Sequence, residues 1–315
     1  MHINIRVSSI DPLPTDVLES NLKRLIENNQ PHLDLSNVYI YFSDDTLRDV
    51  VALQKDKGLT VKGQSQHAIG KALHYIEKGE LCHAIVLDYD FFSPFIFKDI
   101  DEAFLQAFLI NHELGHIFEY NLTSSFMPLN DDFESVVASR KEMAHYLQSK
   151  INFSEYMANT FAINTLRIFD NYNERFYTVL NHFYNLLHNY IKEIPQLIEE
   201  SKNEVISSRN GTGIQNISYR LFYFKAQIIG LFEGVGAIEG NNEGLYQDFL
   251  QILRKNEPLY IVESFEEMAY ALHTALRGFN NLEDYTFLTS MNKVIDNFWL
   301  KCGFESDDLL YFKVI

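Results

Sequence analysis

His112, Glu113 and His116 stand in the order H-E-x-x-H, within His112-Glu113-Leu114-Gly115-His116. On a helix, residues four apart share a face, so two imidazoles at that spacing can reach one ion. Zinc accepts neutral imidazole nitrogen at about 2.0–2.1 Å. Glu113 falls on the adjacent flank. There it can take a proton from a zinc-bound water and pass it to a leaving amine. The apolar spacing of Phe104, Leu105, Phe108 and Leu109 predicts a helix over Asp99–Tyr120, with Asp99 as N-cap and Glu102 three residues on. Gly115 costs that helix about 1 kcal/mol relative to alanine, which points to another element packed closely against it.

A catalytic zinc takes three protein ligands and keeps one position open. Position 122 is Leu122 and position 119 is Glu119, so a third histidine in the metzincin register is excluded. The best candidate is Glu155, in Ser154-Glu155-Tyr156-Met157-Ala158-Asn159-Thr160-Phe161-Ala162. Glu155, Ala158, Asn159 and Ala162 recur at helical spacing, and the two alanines suit a helix lying close to that of His112. Asn159 is placed to accept a hydrogen bond from a liganding histidine and so fix its tautomer. Alternatives stay open. Glu142, His145, Asp131, Asp132 and Glu134 are rival ligands. Glu155 would also suit the N3 position of a helix capped by Asn152.

The pair H-E-L-G-H and E-x-x-A-N-x-F-A resembles the gluzincin group of zinc metallopeptidases. It is closest to bacterial regulatory peptidases of the ImmA/IrrE type, and is similar also to phage-exclusion peptidases of the Lit type. The resemblance covers residues 84–169. It implies zinc held by His112, His116 and Glu155, Glu113 as catalytic base, and Asn159 supporting the ligands. The 38 residues between His116 and Glu155 exceed what a compact ImmA/IrrE member needs, and no helix-turn-helix precedes the core, so the substrate does not carry over.

The elements that must position these groups read as follows. Strands are expected at His2–Ser8, Val38–Phe42 and Ala84–Phe92, and helices at Thr15–Asn28 and Ser65–Lys78. Beyond the Asp99 helix, a loop is expected at Asn121–Asp132 and helices at Phe133–Ser149 and Phe153–Phe169. Further helices follow at 171–194, 216–233, 244–255, 262–278 and 283–301. Asn203–Asn216 and Glu239–Gly244 read as connections. Ala84–Phe92 is a possible sheet edge for an extended peptide, with Asp88 and Asp90 there as guards against unwanted pairing. The expected class is mainly α (α+β), with a zincin-like core over 1–170 and a helical part over 171–315.

Composition agrees with a folded, helix-rich chain of 315 residues: Phe 25 and Tyr 18 against Gly 14 and Pro 7. A net charge of -17 opposes nucleic-acid binding. Two distant cysteines, Cys82 and Cys302, give neither a disulfide framework nor a zinc knuckle; Cys302 reads as a buried thiol, with zinc binding in an inhibited state as the alternative. No signal peptide or membrane span is expected, so the default location is cytoplasmic. The resulting expectation is a zinc metalloendopeptidase with one zinc per chain, acting on a protein or peptide. Oxyanion stabilisers would come from Tyr156, His182, Tyr219, Arg220, Tyr223 or His273. The competing reading is a helical interaction or sensor protein whose zinc site is structural or vestigial.

Overall fold

A computed structural model describes residues 2–6, 14–29, 35, 37–61, 69–124, 139–238, 242–278 and 288–315. The protein is mainly α with a small β-sheet near its N-terminus. It divides into two compact units, one of residues 1–130 with 161–177 and one of 131–160 with 178–315.

The first unit is built on a four-stranded sheet in the order β1-β2-β4-β3. β1 (His2–Arg6), β2 (Val38–Ser43) and β4 (Glu80–Asp88) run parallel, and β3 (Gly70–Glu77) closes one edge antiparallel to β4. β4 is apolar along most of its length because helices cover both of its faces. Ile85 and Leu87 join Leu22 and Leu25 of α1 (Thr15–Asn29), Phe92 and Phe95 of α3 (Tyr89–Phe97), and Ile110 and Leu114 of α4 (Phe104–Thr123). Ala84 and Val86 turn the other way, toward Val50 and Leu53 of α2 (Thr46–Asp56).

Several expectations need correcting here. The segment expected to be helical at Ser65–Lys78 is strand from Gly70 onward, and residues 65–68 lie outside the described residues. Lys71-Ala72-Leu73 favours a helix locally, but pairing with β4 overrides it. Leu73 and Tyr75 are buried two apart on one face, and Lys78 and Gly79, both with positive φ, make the two-residue hairpin turn. β4 ends at Asp88, whose carboxylate caps α3 by accepting from Phe91 N at 2.8 Å, so Tyr89–Phe92 is helix rather than strand. Nor is β4 an edge: β2 and β3 flank it. Helix α4 starts at Phe104, and Asp99 instead accepts from Asp101 N in the preceding turn.

The second unit is helical. α5 (Arg140–Ala162) is one helix where two were expected. Ser149 and Asn152 suggest a break in sequence, yet both are buried, and Ser149 Oγ bonds Asn292 at 2.8 Å. Asn152 is therefore not an N-cap, and Glu155 is not at a helix start. The candidates Asp131, Asp132 and Glu134 lie outside the described residues. The chain returns to the first unit for a 3-10 turn (Ile163–Ile168) and the opening residues of α6 (Tyr172–Ser208); the second unit then continues through the rest of α6, α7 (Thr212–Gly234), α8 (Glu243–Asn256), α9 (Leu259–Gly278) and α10 (Thr289–Lys301). The Asn203–Asn216 connection shrinks to three residues between α6 and α7. A short hairpin, β5 (Phe304–Ser306) with β6 (Phe312–Val314), was not expected from the sequence. No described helix is long and apolar enough to cross a membrane.

Candidate metal centre

Helix α4 carries His112, Glu113 and His116 in its buried middle. The two imidazoles meet with Nε2 atoms 3.1 Å apart. Donor atoms on a tetrahedral zinc at about 2.0–2.1 Å stand roughly 3.3 Å apart, so the pair is already near the spacing one ion requires. The residue before His112 fixes the neighbouring helix. Asn111 is fully buried, and its Nδ2 donates to Phe161 O at 3.4 Å and Ala162 O at 3.3 Å, the last two residues of α5. Ligand atoms of His112, His116 and Glu155 all lie within 4.8 Å of one another. Among the described residues this is the one group of three or more such side chains so arranged.

The donor set fits zinc: two imidazoles and a carboxylate, with His112 and Glu155 buried and His116 partly exposed. Burial of a carboxylate is costly unless it is bonded, and Glu155 has a partner that the sequence does not reveal. Gln227 of α7 donates from Nε2 to Glu155 Oε2 at 3.0 Å. Asn159, expected to accept from a liganding histidine, donates from Nδ2 to the backbone carbonyl of Gln227 at 3.1 Å. Close approach of the two helices makes this possible. A Cβ on Gly230 would meet Tyr156 O at 2.5 Å, so only glycine lets α7 lie this near α5. Nothing local in the sequence links Gln227 to Glu155, 72 residues away.

The rival ligands go elsewhere. His145 is buried against Trp299, with Nε2 3.4 Å from Asp296 Oδ1, and burial lowers its pKa to about 4. Glu142 lies in the first turn of α5, where its backbone N donates to Ser139 Oγ. Cys302 is a buried thiol, pushed up to about 12 by burial.

Among the six oxyanion candidates, Tyr219 lies on α7, the helix that carries Gln227. Its pKa is raised by burial and then by the Glu155 carboxylate, and 44% of the residue remains exposed. Tyr156 is buried beside Glu233, and burial and that carboxylate hold its pKa well above the usual value. His273 Nδ1 lies 2.8 Å from the same Glu233. Arg220 stacks over Tyr190, Tyr223 packs on Phe224 and His182 on Phe183. No family model, curated protein or solved structure matches the chain.

Proposed function

We propose that the protein is a zinc-dependent peptidase that hydrolyses a peptide bond in a protein or peptide. The observation that carries this reading is the convergence of His112, His116 and Glu155 with Glu113 one residue from the first histidine on a buried helix. A zinc ion held by the three would supply a Lewis acid that polarises a carbonyl and acidifies water. The chain's own residues do the rest. Glu113, 8% exposed, takes the proton from the attacking water and delivers it to the departing nitrogen. Gln227 donates to Glu155 Oε2 and so orients the carboxylate. A structural or vestigial zinc site has no use for a base at position 113.

The test is hydrolysis of an unstructured protein and of a mixed peptide library by wild type and by Glu113→Gln, with zinc measured in both. Loss of hydrolysis with zinc retained supports the peptidase reading. Zinc bound without hydrolysis in either protein favours a structural site.

A further inference from the structure

Strand β3 runs along α4, and at its first residue it meets Glu113. A Cβ built on Gly70 would stand 2.9 Å from Glu113 Oε1, 3.2 Å from Cγ and 3.3 Å from Cδ. The three nearest atoms all belong to that one side chain. Gly70 is not among the glycines with positive φ, which among the described residues are Gly58, Gly79, Gly236 and Gly303. Its backbone therefore suits any residue, and the reason for glycine is space.

Which side would yield to a larger residue follows from how each is held. Gly70 pairs with Leu87 in the ladder. The carbonyl just before it, Ile69 O, accepts from Asp88 N at 2.8 Å, and Asp88 caps α3. β4 is itself bound on its far side by β2. The strand backbone is pinned, whereas the end of a glutamate side chain moves by rotation about its χ angles.

We propose that Gly70 is a positioning residue for Glu113, its missing side chain being the space in which the carboxylate rests against the edge strand. The catalytic consequence rests on the peptidase reading; the placement does not. A base must lie within hydrogen-bond reach of the proton it takes, and a misplacement of about 1 Å can cost on the order of 100-fold in rate.

The experiment is Gly70→Ala, read by crystal structure, bound zinc and steady-state kinetics beside wild type. The expected result is a Glu113 carboxylate displaced by roughly 0.5 Å or more, enough to restore ordinary van der Waals separation. His112 and His116 stay in place, zinc per chain is unchanged, kcat falls about tenfold or more, and KM stays within about twofold. A purely structural role would instead lower zinc content or thermal stability with kcat per zinc-loaded molecule intact. An unmoved carboxylate with a shifted strand overturns the proposal, as does a displaced carboxylate with kcat unchanged. If wild type is inert on every peptide, the peptidase reading fails separately and the crystal structures still decide the placement. Should Gly70→Ala not fold, Gly70→Ala/Glu113→Ala is expected to fold, and its failure to do so also overturns the proposal.

Discussion

Replacing Gln227 by leucine removes the donor to Glu155 and little else. The side chain is 6% exposed and its partner 8%, so water does not readily take the place of the lost amide. The bond is 3.0 Å long and ends on a carboxylate; such charge-assisted bonds contribute about 1.5–3 kcal/mol. At about 1.4 kcal/mol per factor of ten, zinc affinity should weaken roughly 10- to 100-fold, which matches the usual effect of removing a group that supports a metal ligand. The backbone carbonyl of residue 227 remains to accept from Asn159, so α5 and α7 keep that bond. Competition against a chromophoric chelator measures the zinc Kd directly. The same substitution in Glu155→Ala should change nothing further. A shift under twofold, or an equal shift in both backgrounds, would refute the claim that Gln227 acts through Glu155.

The Glu113→Gln variant is expected to bind zinc within about threefold of wild type and to lose about 10²- to 10⁴-fold in kcat, checked on the same preparation. His145 makes the second unit acid-sensitive. It takes up a proton near pH 6.5 when unfolded but near 4 when folded, so between those values the unfolded state binds more protons and stability falls as pH falls. From pH 7 to 5 its share of the loss is about 2 kcal/mol; His145→Leu should remove that share of the slope in urea unfolding at the two pH values, and an unchanged slope would contradict it.

What could be read from the sequence was local. The spacing of His112 and His116 fixes their shared face whatever surrounds the helix, and the Glu155–Asn159–Ala162 face follows from the same geometry. What failed depended on distant partners. β3 looks helical because Lys71, Ala72 and Leu73 favour a helix; its pairing with β4 decides otherwise, and only the Lys78–Gly79 turn hinted at it. Ser149 and Asn152 look like a loop because buried polar residues cannot be told from exposed ones without knowing that Asn292 lies opposite. Gln227, Asn111 and Gly70 each act on the site by a contact with another element. No periodicity marks such a residue, so these three were invisible until the chain was folded.

His112, His116 and Glu155 are proposed to form one metal centre. Its most direct test is bound zinc in purified wild type beside Glu155→Ala and His116→Ala, all offered zinc and then dialysed. About one zinc per chain is expected in wild type, lost or held much more weakly in both variants. Full zinc retained in Glu155→Ala, or none in wild type, would contradict it.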